Sequence, residues 1–282
     1  MKPKVHLVLG SGGARGIAHI AVIEELEKEG YDIIEVIGCS MGSVIGGIYA
    51  AGQLPEYKEW LFKLTSRDVF DLLDFTFTNQ GFVKGEKIFK KHKEMMGDLR
   101  IENFDIPFTA VATDMKNNEE VCYSSGDLYK ALRASVAIPG FFLPVVQEDR
   151  VLVDGGVTNP LPVNLVEKEQ GSIVVAVDLN AKSNPGLQIK RKENKEEPKW
   201  YEKLVPEKFL EPEKKKEEAY SLIGLMENTF SLTQDRVTSL MLEMYKPDVV
   251  VQIPRNTAQT FDFDKAEQIY QIGKKAFDKA FN

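Results

Sequence analysis

Two strand-to-helix junctions follow one another near the N-terminus, and each turns on glycine. "KVHLVL" is a short apolar run that ends in "GSGGARG", and "IAHIAVIEELEKEG" continues at helical spacing with Gly30 as its stop. "IIEVIGCS" is a second apolar run that ends at a glycine-framed serine, and the small-residue segment "SVIGGIYAAG" follows it. Strand, helix, strand and helix joined this closely call for parallel strands with right-handed crossovers. The expectation is an α/β fold of three layers, α/β/α, around a central, mostly parallel sheet.

The rest of the chain extends that pattern. Residues 56–100 read as mainly helical, "FTAVATD" as a strand, and "DLYKALRASVAIPG" as a helix stopped by Pro139. "RVLVDGG" reads as a strand running into a glycine turn, and "SIVVAVDLN" as a buried, β-branched strand. From Gly186 to Tyr220, 19 of 35 residues are charged, ten positive and nine negative, with three prolines among them. This segment is expected to be a mobile surface insertion, at about 182–220, in one domain of residues 1–282. Beyond it come a long helix ("SLIGLMENTFSLTQDRVTSLMLEMY"), a strand ("PDVVVQIP"), and a closing amphipathic helix with Asp264 and Glu267 in capping-box spacing.

Composition narrows the function. A formal net charge of −7 argues against a general nucleic-acid binder. The two cysteines, Cys39 and Cys122, have no paired metal spacing and make no disulfide scaffold, so no metal is expected. The N-terminal apolar run is too short for a signal peptide or a membrane span, which favours a cytoplasmic protein and leaves a transient contact with a membrane surface open. Nothing in the pattern fixes an oligomeric state.

The loop Gly10–Gly16 holds four glycines in seven residues at a strand–helix junction. Such a loop turns backbone N–H groups toward an anion, either a bound phosphate or a charge that develops during reaction. A dinucleotide fingerprint starting at Gly10 would need glycine at Arg15, and a phosphate loop would need Lys where Ile17 follows Gly16. A nucleotide- or phosphate-binding module is therefore the weaker reading. An oxyanion hole, which stabilises the tetrahedral intermediate of acyl transfer, is the stronger one, and no cofactor is implied.

Ser40 stands between Gly38 and Gly42 as a candidate nucleophile and needs a base. The three histidines suit the task poorly: His6 is inside the first strand, His19 is one turn into the first helix, and His92 is in "FKKHKEMMG", a stretch that reads as solvated. An α/β-hydrolase would place its histidine late in the chain. Three aspartates stand at predicted strand ends, Asp114, Asp154 and Asp178; Gly155 and Gly156 make Asp154 the best placed for a sharp turn and close approach.

"GSGGARG", "GCSMGS" and "DGG", in this order, resemble the patatin-like phospholipase family, as do "ATDMKNNEEVCYSSGDLYKALRASVAIPGFFLPV" leading into "LVDGGVTNPLPV", and "KPDVVVQIP" with the final helix. The resemblance covers about residues 4–180 and 221–280 and implies a patatin-like fold with a Ser-Asp dyad and no histidine. It implies Ser40 as nucleophile, Asp154 as general base and acid, and the loop of Gly12, Gly13, Ala14 and Arg15 as oxyanion hole, with Arg15 keeping that loop electropositive. Ser11 departs from the family's usual glycine. Met41 is expected to shape the pocket or add an amide; Asn159 is expected to be plain loop chemistry, with orienting the turn after Asp154 as the alternative. The implied substrate is a lipid or acyl ester. Phe70, Leu72, Leu73, Phe75, Phe77, Phe82, Phe141 and Phe142 are candidate lining for its acyl chain. Trp200, Tyr201, Leu204, Val205, Phe209 and Leu210, set among lysines in the insertion, are candidates for a lid or lipid contact.

Overall fold

The structure is a computed structural model that describes residues 3–78, 81–187, 189 and 222–282. Its elements, in chain order, begin with β1 (Lys4–Leu9), α1 (Ile17–Lys28), β2 (Asp32–Cys39), α2 (Met41–Ala50), α3 (Leu54–Phe62), α4 (Ser66–Leu72), β3 (Phe75–Thr78), β4 (Gly81–Val83) and α5 (Glu86–Met96). They continue with β5 (Phe108–Asp114), β6 (Glu119–Tyr123), α6 (Leu128–Ser135), β7 (Val145–Gln147), β8 (Arg150–Asp154), β9 (Ser172–Ala181), α7 (Leu222–Tyr245), β10 (Val249–Pro254) and α8 (Ala266–Phe281). Most of the expected insertion, with Trp200, Tyr201, Leu204, Val205, Phe209 and Leu210, lies outside the described residues, as does the side chain of Phe77.

The sheet runs β10-β9-β1-β2-β5-β8-β7, with β6 also on β5. β10, β9, β1, β2 and β5 are parallel; β6 and β8 each pair antiparallel with β5, and β7 pairs antiparallel with β8. Alternation along β1 supplies both faces: Val5, Leu7 and Leu9 join the core formed with α1, α2 and α8, whereas Val8 packs with Val174, Ala176, Leu161 and, on α7, Met241 and Leu242. Helices thus cover the two faces of a mixed, mostly parallel sheet.

One pairing decides where chain ends meet. β6 takes one edge of β5 over Ala110–Asp114. A strand has two edges, so β2 and β8 share the other. β2 pairs with it up to Cys39↔Val111, and β8, arriving from the opposite direction, ends at Asp154↔Ala112. Two strand ends far apart in sequence therefore abut on consecutive residues of β5.

Several expectations need correction. Residues 56–100 are mainly helical, as α3, α4 and α5, but the aromatic stretch within them forms the β3–β4 hairpin between α4 and α5. α6 ends at Ser135, not at Pro139, because the backbone of Val136–Ile138 turns away and the Ala137 carbonyl accepts from the Asp154 N–H. The capping box of Asp264 and Glu267 does not form. Asp264 precedes a helix that starts at Ala266, and its carboxylate accepts from the Ser66 hydroxyl at 2.7 Å. His92 is not solvated but 1% exposed, held among the rings of Tyr57, Trp60 and Phe89.

Gly155 marks the tightest approach of β8's end to β5. A Cβ there would lie 2.3 Å from the Val111 carbonyl oxygen, which is backbone and cannot swing aside. Gly155→Ala is therefore expected to destabilise the protein by about 3 kcal/mol in urea unfolding; a loss below 1 kcal/mol would show that this approach is slack.

Candidate active site

Ser40 sits between the end of β2 and the start of α2 with φ 53° and ψ −123°, a strained conformation for a residue with a side chain. Its two flanking glycines are explained by packing. A Cβ at Gly38 would lie 2.5 Å from the Ser43 backbone, and one at Gly42 would lie 2.1 Å from the Leu9 carbonyl oxygen at the end of β1. The first turn of α2 can close over β2 and against β1 only without those side chains. The strained residue is held on both sides. Its N–H donates to Ser135 Oγ at 2.9 Å, and its carbonyl accepts from Ser43 N and Ser43 Oγ. Ser135 Oγ in turn donates to the Val111 carbonyl at 2.6 Å.

The strand ends that abut on β5 bring Ser40 to Asp154. Ser40 Oγ donates to Asp154 Oδ2 at 2.6 Å, and the Gly156 N–H donates to Asp154 Oδ1 at 2.7 Å. The Asp154 backbone is pinned as well, its N–H on the Ala137 carbonyl and its carbonyl accepting from Thr113 Oγ1. Ser40 and Asp154 are 4% and 1% exposed. Burial pushes the Asp154 carboxyl up to about 7, against the two donated hydrogen bonds, which lower it. That value places its proton affinity near neutral pH, where a general base works best.

The glycine loop lies beside this pair. The N–H groups of Gly10, Ser11, Ala14 and Arg15 are committed to the carbonyls of Val177, Pro160, Thr260 and Gly12. Those of Gly12 and Gly13 have no acceptor among the described residues, and both residues line the same cleft as Ser40. Of the expected oxyanion group of Gly12, Gly13, Ala14 and Arg15, the amides of Ala14 and Arg15 are therefore occupied by carbonyls, and those of Gly12 and Gly13 are not, among the described residues. Arg15 also has a structural task. Its buried guanidinium donates to the carbonyls of Leu179 and Ala258 and to Asn180 Oδ1, tying the loop to β9 and to the segment after β10. Ser11 keeps the loop's shape with a side chain that accepts from Gln234 Nε2 of α7, and its carbonyl accepts from Asn180 Nδ2. Met41 packs directly on the loop, since a Cβ at Gly16 would lie 2.3 Å from its Cγ.

Two clefts meet at Ser40. One, open to solvent, is walled by apolar side chains that include Met41, Val44, Leu61, Leu72, Leu73 and Phe142. The other, also open, has Phe75, Phe82, Phe141 and Phe261 together with Ser231, Gln234 and Arg255. Of the expected lining, Phe70 lies outside both, 40% exposed. Gln234, Arg255, Ser135, Thr260 and Phe261 carried no sequence signal, and all five come from segments remote from the glycine motifs.

The other candidates are elsewhere. Asp114, at the far end of β5, accepts from the N–H groups of Lys116 and Val151 and from Asn117 Nδ2, so it organises a turn. Asp178, pushed up to about 6 by burial, faces Asn180 and lines a separate polar cleft. Asn159 Nδ2 binds Glu120 and Asn164, not Asp154. His6 pairs with Glu35, and His19 Nε2 donates to the Gly10 carbonyl. Burial drives the His19 and His92 imidazoles down to about 4, so both are neutral at pH 7.

Comparison with known proteins bears on this arrangement. The family described as Patatin-like phospholipase matches residues 7–166, more than half of the chain. The chain belongs to the patatin-like phospholipase family. An uncharacterized NTE family protein of Mycobacterium tuberculosis is 32% identical, over 96% of this chain and 89% of that protein. Lysophospholipase NTE1 of Yarrowia lipolytica is 34% identical over 63% of this chain and 13% of its own length. The solved structure of VipD from Legionella pneumophila aligns over 99% of this chain and 67% of that one, at 12% identity and a TM-score of 0.44. As a patatin-like phospholipase, the protein is a lipid hydrolase. None of its described helices is long and apolar enough to cross a membrane.

Two outcomes are expected from this geometry. Ser135→Ala removes the acceptor for the Ser40 N–H and the donor to Val111, and should lower stability by about 1–3 kcal/mol and turnover about tenfold or more; unchanged turnover would mean that Ser40 holds its conformation unaided. Asp154 titrates near 7 in the folded chain and near 4 when unfolded, so the folded state holds the extra proton between those values. Stability contributed by this group is therefore lost as pH rises from about 4 to 7. Asp154→Asn does not titrate, and its stability relative to the natural protein should grow by roughly 2 kcal/mol between pH 5 and pH 8. A difference independent of pH in thermal unfolding would refute the burial effect.

Proposed function

We propose that the protein is a serine acyl hydrolase that cleaves carboxylic esters of phospholipids, lysophospholipids or related lipids through Ser40 and Asp154. The observation that carries this reading is the 2.6 Å hydrogen bond from Ser40 Oγ to a buried carboxylate, beside two N–H groups uncommitted among the described residues, where two clefts meet. Ser40 Oγ attacks the ester carbonyl carbon while Asp154 Oδ2 takes its proton. The carbonyl oxygen becomes an oxyanion that the N–H groups of Gly12 and Gly13 stabilise. The C–O bond to the alcohol then breaks, Asp154 returns the proton to the leaving oxygen, and an acyl-Ser40 ester remains. Water attacks this ester with Asp154 again as base. The fatty acid leaves, and the proton returns to Ser40.

A dyad without histidine asks more of its carboxylate. An ordinary aspartate, with a pKa near 3.9, is too weak a base at neutral pH, and burial near 7 supplies the missing proton affinity. The mainly apolar cleft suits one acyl chain, and the cleft carrying Arg255, Gln234 and Ser231 suits the polar remainder of a lipid. The lysophospholipase name of the fungal relative agrees with a single-chain lipid as substrate. A transient contact with the lipid surface and a cytoplasmic setting belong to the same proposal, as does one hydrolase domain carrying the charged segment as an insertion. The phosphate-binding alternative gains no support, because four of the loop's amides already have carbonyl partners.

A fluorophosphonate probe is expected to add its mass to the peptide containing Ser40, and Ser40→Ala to abolish both the label and ester hydrolysis. Asp154→Asn should lower kcat by about 10³-fold or more. Because the base must be ionised, kcat/KM should rise with pH along a limb centred near 7. Full turnover by Asp154→Asn would overturn the assignment of the base.

A further inference from the structure

The apolar cleft that starts at Ser40 contains one anomaly. His92, on α5, lines it and is buried, yet neither imidazole nitrogen has a hydrogen-bond partner among the described residues. Such a group is expensive in an apolar setting unless something satisfies it. Around it stand the rings of Tyr57, Trp60 and Phe89, at centroid distances of 5.2, 5.4 and 5.7 Å and interplanar angles of 82°, 89° and 90°. Edge-to-face contacts of this kind can satisfy the single N–H of a neutral imidazole, which finds the electron-rich face of a ring. They cannot satisfy the lone pair on the other nitrogen, because ring faces repel it. The unmet need in the cleft is a hydrogen-bond donor.

We infer that His92 determines acyl specificity, its free nitrogen accepting a hydrogen bond from a hydroxyl group carried on the acyl chain. The inference rests on the hydrolase reading above. An ammonium or a carboxylic acid would be a poor fit. The first brings a charge into an apolar slot, and the second is ionised at neutral pH and has no proton to donate. A chain hydroxyl brings a donor, no charge and little bulk. A water molecule on His92 leads to the same preference, since an unsubstituted methylene chain displaces that water and returns no hydrogen bond, whereas a hydroxylated chain replaces it. The selection is positional, because α5 fixes the distance from Ser40 to His92, so only one range of hydroxyl positions can reach the nitrogen.

The test uses methyl dodecanoate and its positional hydroxy isomers, measured in two ways. Binding to Ser40→Ala by calorimetry needs no turnover, and kcat/KM in the protein with Ser40 intact reports on catalysis. The expected result is a tighter Kd for isomers in one window of positions, by roughly tenfold over methyl dodecanoate, and the same ratio in kcat/KM. His92→Phe, which keeps the ring packing, should flatten the profile, and His92→Gln, which keeps an acceptor, should retain part of it. Each ratio is taken within one variant, so a general loss of stability cancels. A flat binding profile in the His92 protein, or a peak that persists in His92→Phe, would overturn the inference. Failure of the hydrolase reading shows separately, as absent turnover and absent fluorophosphonate label.

Discussion

The arrangement depends on the shared edge of β5. β2 and β8 approach it from opposite directions and stop on neighbouring residues, Val111 and Ala112. Asp154 is the last residue of β8 and Ser40 directly follows the last residue of β2, so the backbone pairing brings them together before any side-chain attraction acts. The ladder is also what holds the carboxylate in place, because Ala137, Thr113 and Gly156 fix both the backbone and one oxygen of Asp154 and leave Oδ2 for the serine. The glycines are the steric condition for this approach. Gly38, Gly42 and Gly155 each stand where a Cβ would strike backbone within 2.5 Å.

Burial has opposite effects at this site. It raises the proton affinity of Asp154 into the range a general base needs, and by the same desolvation makes the charged form costly to the folded chain. The strained backbone of Ser40 is a second local cost. Both are carried by a sheet buried on its two faces and by side-chain ties from remote segments, Arg15 to the end of β9 and Gln234 to the glycine loop.

Much of the fold was legible because its signals are local. Apolar runs that end in glycine mark β1 and β2, and the β-branched run marks β9. What misled were segments whose local character is overridden by packing. "FKKHKEMMG" looks solvated from its lysines, but the helix turns His92 inward while the lysines stay outside. "DFTFTNQGF" lies between two helical stretches that hide its period, and its Phe-Thr alternation pairs as a hairpin. The strand-end rule places Asp114, Asp154 and Asp178 alike, and it is Gly155 and Gly156 that single out Asp154; β8, which carries it, is antiparallel to β5. Asp114, at a true parallel carboxyl end, points into a turn.

Residue identity alone thus determined the chemistry available: a serine that only glycine neighbours can crowd, an aspartate with room to approach it, and a glycine loop able to present amides. Glycine's missing Cβ acts over a few ångströms of local backbone and so leaves its mark in the order of residues. Only the tertiary structure decided which aspartate met the serine, which two amides stayed uncommitted, and that a histidine was enclosed in an apolar cleft. Each of those outcomes depends on strand direction, register and helix rotation, which are set by contacts between residues tens or hundreds of positions apart.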